Sequence, residues 1–290
     1  MPSVVTDRFV KAYRLSRVAL LEYSMSSPLN VLSAKGAWEI LLILSTKDAK
    51  FKELNQATRN TRTLSRRLRE LESAGWIERA GGPYSITEAG FEALMRFYEM
   101  NLGRDRLYLN ASELEKVPYD WIRIPLTRVV GLFLKEFGSE LISLALYGSS
   151  ARGSFVMGES DLDLLYVVED DVHELWLRES EVFRRFQSSY EYTAFNRWFK
   201  QKGLYGYPEV SATHLGRSSA LRFQPVYLDM IESSVIPYDR SDFLGGILGK
   251  LRNSLVELGA QRVERADGLW YWVLKPNLRP GEVLEIKLVD

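Results

Sequence analysis

Residues 146–153 of this 290-residue chain read Leu-Tyr-Gly-Ser-Ser-Ala-Arg-Gly, and residues 160–164 read Ser-Asp-Leu-Asp-Leu. The order of residue types predicts a strand that ends in a Gly-Ser turn, then a short helix and a second strand. Because side chains alternate along a strand at about 3.3 Å per residue, Asp161 and Asp163 should share one face, roughly 6 to 7 Å apart. Two carboxylates at that separation can hold two divalent metal ions about 3.5 to 4 Å apart, which is the arrangement that supports an in-line phosphoryl displacement.

The Gly-Ser turn predicts a cradle for phosphate groups. Gly148 permits close approach of the backbone, and Ser149 offers a hydroxyl and an N–H group at the start of a helix, where anions are favoured. Arg152 lies one turn later, where it can contact a phosphate or pair with a carboxylate and hold the loop. Ser160 has two similar options, since it can contact the nucleotide or cap the turn before Asp161.

These residues carry a resemblance to a known family. Gly148-Ser149 followed by Ser160-Asp161-x-Asp163 resembles the signature of the DNA polymerase β-like nucleotidyltransferase superfamily, and Gly-Ser-x-Ala-Arg-Gly is similar to its minimal, mostly prokaryotic branch. The resemblance covers about residues 120–240 and implies a third metal carboxylate on a later strand. Segment 225–231 is predicted to be that strand, with Asp229 as the carboxylate. The apolar residues around Asp163 predict a buried strand and so disfavour a polar loop with two solvated aspartates.

The resemblance implies transfer of a nucleoside monophosphate from an NTP, expected to be ATP, to an acceptor hydroxyl, with release of pyrophosphate. Asp161 and Asp163 would bridge two metal ions, Mg²⁺ or Mn²⁺. Asp229 would join the catalytic metal and help to orient or deprotonate the acceptor. Protein, RNA and small-molecule acceptors all occur in the superfamily, and minimal members adenylylate partner toxins, so the acceptor stays open.

Composition narrows the metal chemistry. Lys and Arg number 38, as do Asp and Glu, so no overall charge attracts nucleic acid or a membrane. With no cysteine and only two histidines, the chain excludes disulfides, thiolate zinc sites and His-rich metal sites. Carboxylate ligands favour Mg²⁺ or Mn²⁺. Charged residues interrupt the apolar residues of segment 1–23, so this segment is not expected to be a signal peptide or a membrane-spanning helix. We therefore expect a cytoplasmic protein without a membrane partner.

A second resemblance covers about residues 30–100. Helices are predicted from 36, from 51 and over 61–74, followed by strands at 76–79 and 84–87 and a helix over 88–100. This order resembles a winged helix-turn-helix domain of prokaryotic transcription regulators, with the third helix in the recognition position.

The third predicted helix has one apolar and one basic face. The apolar face contains Leu64, Leu68 and Leu71, and the basic face contains Arg62, Arg66 and Arg69. The arginines can contact DNA or RNA phosphates, but such a face is often only solvated, and winged helices also dimerise or dock proteins. The rival hypothesis is a regulator, such as an antitoxin, whose winged helix binds an operator while the other domain senses nucleotide or forms a homodimer. That hypothesis predicts loss of the three aspartates, and all three are present.

The predicted fold class is α+β, with a winged helix-turn-helix followed by a nucleotidyltransferase domain that has a mixed sheet and flanking helices. The predicted boundaries are a helical extension over 1–30, the winged helix over 31–100, a linker over 101–120, the nucleotidyltransferase domain over 121–240, and a C-terminal helix and β-hairpin over 241–290. The hairpin is expected to turn at Asp267-Gly268. Aromatic and basic residues alternate over 171–224; they can stack on an acceptor nucleic acid, or the aromatic residues can pack a helix onto the sheet.

Overall fold

The structure is a computed structural model that describes residues 31, 34–79, 81–101, 109–265, 270–279, 281–284, 286 and 288. Three predictions fall wholly or partly outside these ranges: the helical extension over 1–30, residues 102–108 of the linker predicted over 101–120, and the hairpin turn at Asp267-Gly268. No helix among the described residues has the length and apolar character needed to cross a membrane.

The elements follow in chain order. The first part contains α1 (Ala37–Thr46), α2 (Phe51–Thr58), α3 (Thr61–Ser73), β1 (Ile77–Arg79), β2 (Tyr84–Ile86) and α4 (Glu88–Asn101). The middle part contains α5 (Ala111–Leu114), α6 (Asp120–Phe137), β3 (Leu141–Tyr147), α7 (Gly148–Arg152), β4 (Leu162–Val168), α8 (Leu175–Gln187) and α9 (Tyr190–Gln201). The last part contains β5 (Val210–Gly216), α10 (Arg217–Ala220), α11 (Tyr227–Met230), β6 (Val235–Asp239), α12 (Phe243–Glu257), β7 (Gln261–Glu264) and β8 (Trp270–Val273).

The chain divides into two compact units. Unit 1 comprises Met1–Met100 together with Thr193–Tyr207, and unit 2 comprises Asn101–Tyr192 together with Pro208–Asp290. Each unit is therefore built from two separate stretches of the chain.

Between Val31 and Asn101, the described residues of unit 1 form three helices, an antiparallel strand pair and a fourth helix, in the order that the sequence predicts. The side chain of Asn60 accepts a hydrogen bond of 2.9 Å from the Thr63 N–H and so caps the start of α3. The apolar face of α3 is buried through Leu64, Leu68 and Leu71. Gly75 follows the helix with a φ of 69°, a conformation that glycine adopts without strain.

The second stretch of unit 1 supplies α9, whose aromatic residues pack against α4. The Phe91 ring meets Phe195 edge to face at 5.3 Å and stacks on Trp198 at 5.6 Å. Arg197 donates a hydrogen bond to the Leu44 carbonyl at 2.9 Å. The interpretation that aromatic residues over 171–224 pack a helix onto the sheet is therefore wrong for Phe195, which packs against Phe91 of α4 within unit 1.

Unit 2 contains a four-stranded mixed sheet in the order β5-β4-β3-β6. β3 is antiparallel to both β4 and β6, whereas β4 and β5 are parallel. One face is covered by α11 and α12, whose buried residues join Ala145 and Leu165 in one core cluster. On the other face Phe133 of α6 packs against Tyr166 of β4 at 4.7 Å and against Phe183 of α8 at 5.9 Å.

The predicted C-terminal helix and strand pair are confirmed as α12 and as β7 paired with β8. In contrast, the prediction of a strand over 225–231 is wrong, because this segment forms the one-turn helix α11. The Met230 and Ile231 amides donate to the carbonyls four residues earlier, which is the helical pattern. Tyr227, Met230 and Ile231 are buried together at spacings of three and four residues, so the apolar period is that of a helix.

We expect Phe195→Ala to destabilise unit 1, although residue 195 lies about a hundred residues beyond α4. Phe195 is 3% exposed, and truncation of a buried phenylalanine costs about 3 to 5 kcal/mol. Hydrogen exchange should show reduced protection in α1 to α4. The matched control is Tyr205→Ala in the same stretch, since Tyr205 is 96% exposed. Unchanged protection in α4 would contradict this packing role.

Candidate functional site

The Gly-Ser turn joins β3 to α7 in unit 2. β3 is buried from Leu141 to Leu146, and Gly148 continues the chain with a φ of 72°. The Ser150 hydroxyl donates to the Tyr147 carbonyl at 3.0 Å, which closes the turn. The Ser154 N–H then donates to the Ser149 carbonyl at 3.1 Å, where α7 ends. The predicted order of strand, turn and short helix is confirmed.

The two predicted carboxylates lie at the start of β4. Asp161 is exposed and directly precedes the strand, while Asp163 lies within it and is partly buried. In the sheet register Asp163 is opposite Tyr147 of β3 and Ser211 of β5. The predicted second strand is confirmed, and its flanking leucines are buried.

Ser160 closes the loop that precedes Asp161. Its hydroxyl accepts a hydrogen bond from the Val156 N–H at 3.0 Å, and its own N–H donates to the Val156 carbonyl at 2.9 Å. These two bonds fix the entry into β4, so Ser160 holds the loop in the way that the structural alternative predicts.

The turn and the carboxylate of Asp163 are in direct contact. A Cβ atom at Gly148 would overlap Oδ2 of Asp163, so only glycine fits here without displacing the carboxylate. The positive φ of Gly148 imposes the same choice. A group bound against the turn would therefore also meet Asp163.

Asp229 reaches this region from α11 rather than from a strand. Its carboxylate forms an ion pair with the Arg152 guanidinium, and the two side chains are 21% and 28% exposed. Arg152 is the last residue of α7, so the pair links the helix after the Gly-Ser turn to α11. The alternative in which Arg152 pairs with a carboxylate is thus the one that the structure contains.

Electrostatics shows that these groups form one cluster. Burial raises the pKa of Asp163, and the charges of Asp161 and Asp229 raise it further, while Arg152 opposes the rise. Burial also raises the pKa of Tyr147, and the charges of Asp163 and Asp229 add to that rise. Three carboxylates and one guanidinium therefore interact across a small region of unit 2.

The carboxylate cluster has the donor chemistry of a divalent cation site. Oxygen ligands from carboxylates are the donors that Mg²⁺ and Mn²⁺ prefer. Burial and, to a smaller extent, the charges of Asp161 and Asp229 raise the pKa of Asp163, and a cation would offset both effects. Within the described ranges, no set of three Asp, Glu, His or Cys side chains is arranged to hold a metal ion. The residue types thus fit the cation, whereas their arrangement in this structure does not, since Asp229 is paired with Arg152.

Sequence reasoning missed Tyr147 and Thr213 at this cluster. Burial raises the pKa of Tyr147, the Thr213 side chain opposes that rise, and the charges of Asp163 and Asp229 add to it. Thr213 lies on β5, which neighbours β4 but has no carboxylate between Val210 and Gly216. The position of Tyr147 directly before the Gly-Ser turn was the sequence signal that could have placed it at this cluster.

The three arginines of the predicted recognition helix lie in unit 1 on α3. Arg62, Arg66 and Arg69 are all exposed, and Arg69 donates to the Ser65 carbonyl at 3.3 Å. The structure thus brings together Gly148, Asp161, Asp163, Asp229 and Arg152 within unit 2, and it places the arginines of α3 in the other unit.

Comparison with protein families identifies the domain that holds the turn. The family model of the nucleotidyltransferase domain matches residues 129–213. The match contains Gly148, Asp161 and Asp163 and ends before Asp229. Comparison with curated proteins and with solved structures found no match. Residues 129–213 are therefore similar to the nucleotidyltransferase domain, a family whose members act on NTP substrates.

We expect Gly148→Ala to displace the Asp163 carboxylate and to strain the turn by about 1 to 2 kcal/mol, the usual cost of a left-handed conformation with a Cβ. NTP binding, measured by calorimetry, should weaken. Gly246→Ala is the control. Gly246 lies in α12, and a Cβ atom at this position would meet no other atom within 4 Å. Equal NTP affinity in both variants and the wild type would show that the contact with Asp163 is dispensable.

Proposed function

We propose that the chain transfers a nucleoside monophosphate from an NTP, expected to be ATP, to an acceptor hydroxyl and releases pyrophosphate. The observation that carries this proposal is the contact between the Gly148 turn and Asp163, within the stretch that matches the nucleotidyltransferase domain. A Gly-Ser turn in contact with a partly buried carboxylate is an arrangement that suits phosphoryl transfer.

Asp161, Asp163 and Asp229 are the residues that would hold Mg²⁺ or Mn²⁺. When bound, such ions lower the pKa of the acceptor hydroxyl and neutralise charge on the leaving pyrophosphate. The proposal is supported by the mutual repulsion of the three carboxylates, which makes a cation favourable among them.

The chain's own residues position the two reactants. Gly148 and Ser149 would bind the β- or γ-phosphate. Arg152, at the other end of the same short helix, would supply a positive charge. Asp229 would orient the acceptor hydroxyl and accept its proton. The acceptor oxygen then forms a bond to the α-phosphorus as the bond between that phosphorus and the pyrophosphate oxygen breaks, so the electron pair leaves with pyrophosphate.

The acceptor is best sought without assuming its class. A protein, an RNA or a small molecule is consistent with the cluster, because the chemistry needs only a hydroxyl. Phe195 and Phe199 of α9 give no support for stacking on a nucleic acid, since both are buried within unit 1, whereas Tyr190 at the start of α9 is exposed.

The activity test uses the double variant Asp161→Ala/Asp163→Ala beside the wild type. Each protein is incubated with Mg²⁺ and one α-³²P-labelled NTP in a lysate of its source, and label is followed on protein, RNA and small molecules. We expect label with the wild type and a loss of at least about a hundredfold with the variant, because electrostatic stabilisation of the transition state contributes effects of that size.

The matched control is Asp171→Ala/Glu257→Ala, which removes the same charge from exposed positions of the same unit. It should label the acceptor as the wild type does. Equal labelling by the wild type and the Asp161/Asp163 variant would overturn the proposed chemistry.

A second candidate function rests on α3. We propose that residues 31–100 form a winged helix-turn-helix that binds DNA, supported by the order of three helices, a strand pair and a helix. Arg62 and Arg66 are exposed, whereas Arg67 pairs with Glu70, so the basic face is available to phosphates. In the regulator alternative this unit carries the function, and the other unit senses nucleotide or dimerises.

We expect Arg62→Ala/Arg66→Ala/Arg69→Ala to weaken binding to duplex DNA and to reduce the slope of log K against log salt by roughly 2.7, or about 0.9 for each phosphate that an arginine no longer neutralises. Fluorescence anisotropy over a salt series measures both. The control Arg184→Ala/Arg222→Ala/Arg279→Ala removes the same charge from exposed residues of unit 2. Identical slopes for the two triple variants would rule out this surface.

A further inference from the structure

The ion pair between Arg152 and Asp229 joins the two ends of the carboxylate cluster. Its partners are 77 residues apart in the sequence, and both belong to short helices of unit 2. Arg152 ends α7, four residues after Gly148, and it also lowers the pKa of Asp163. The same guanidinium therefore acts on two of the three carboxylates.

The backbone on both sides of this pair is fixed. Tyr227 and Met230 anchor α11 in the core, and the Tyr227 hydroxyl donates to the Ala220 carbonyl at 2.9 Å. α7 is held by the hydrogen bond from Ser150 to Tyr147 and by the following turn at Gly153. Release of the pair therefore needs only side-chain rotation, which both partly exposed groups can undergo.

Charge counting shows what the pair does. Asp161, Asp163 and Asp229 carry three negative charges when ionised, and Arg152 neutralises one of them. Arg152 holds Oδ1 of Asp229, and a divalent cation that ligates the same carboxylate competes with the guanidinium for its negative charge and is repelled by it. Binding of the metal and pairing of Arg152 with Asp229 are then mutually opposed.

We propose that Arg152 is a built-in cation that occupies Asp229 until a divalent metal displaces it, and that this exchange frees the guanidinium for the triphosphate. The inference rests on the proposed function and adds to it a positioning residue that sets metal affinity. Arg152 lies on the helix that follows the phosphate-binding turn, so the nearest new anion for the released guanidinium is the bound nucleotide. Metal and NTP binding are thereby linked through one side chain.

The test measures Mn²⁺ binding without nucleotide, by the electron paramagnetic resonance signal of free Mn²⁺. We expect Arg152→Gln to bind Mn²⁺ about tenfold more tightly than the wild type, a coupling of ordinary size for two linked sites. Asp229→Asn should bind Mn²⁺ more weakly, and Arg152→Gln should have little further effect in that background. Arg184→Gln, which removes an exposed arginine of the same unit, should leave the affinity unchanged.

A merely structural arginine predicts the opposite sign. If Arg152 only held Asp229 in place for the metal, Arg152→Gln would weaken Mn²⁺ binding, and an unchanged or weaker affinity overturns the proposal. Arg152→Lys keeps the competing charge and should bind Mn²⁺ nearly as the wild type does, so it separates charge from shape.

If Arg152→Gln does not fold, a measurement on the wild type alone tests whether Mg²⁺ breaks the ion pair. The Arg152 Nε–H resonance of ¹⁵N-labelled protein should shift when Mg²⁺ is added, because the ion pair is broken. A constant resonance at saturating Mg²⁺ would overturn the proposal. If the wild type transfers no nucleotide while Arg152→Gln binds Mn²⁺ more tightly, the proposed function is rejected and the cation exchange still stands.

Discussion

The register between β3 and β4 is the constraint on which the candidate site depends. Pairing of Tyr147 with Asp163 places the Gly148 turn against a carboxylate of the neighbouring strand. Because side chains alternate along a strand, a slip of one residue would turn Asp163 toward the opposite face of the sheet and replace it with a leucine. The buried apolar residues of both strands oppose that slip, so packing of the core and placement of the carboxylate share one cause.

The local parts of this arrangement could be predicted from sequence. Residues 146–164 carry their own signals: a buried strand, a glycine with a suitable position for a turn, and two aspartates at a spacing of two. The helix α3 of unit 1 was predictable for the same reason, since Asn60 and Gly75 mark its ends and its leucines repeat at the helical period. In both cases neighbours in sequence determine the structure.

The distant parts could not be predicted. Segment 225–231 has apolar residues at positions compatible with either period, and only the burial of Tyr227, Met230 and Ile231 against the sheet selects a helix. The pairing of Arg152 with Asp229 joins residues far apart in the chain, and a sequence specifies the charges but not which of three carboxylates the arginine meets. The packing of Phe195 on Phe91 likewise depends on tertiary contacts that no local pattern encodes.

The discontinuity of unit 1 has a consequence for synthesis on the ribosome. Domains usually fold in order from the N-terminus as the chain emerges. Here the aromatic partner of Phe91 lies in Thr193–Tyr207, which is translated after β3, β4 and α8. Unit 1 therefore cannot complete its packing when its first stretch leaves the ribosome. For the same reason, a gene fusion that transferred only residues 31–100 to another protein would carry an exposed aromatic face on α4. The N-terminal unit is therefore not an interchangeable module, and recombination that preserves it must carry the segment from the middle of the gene as well.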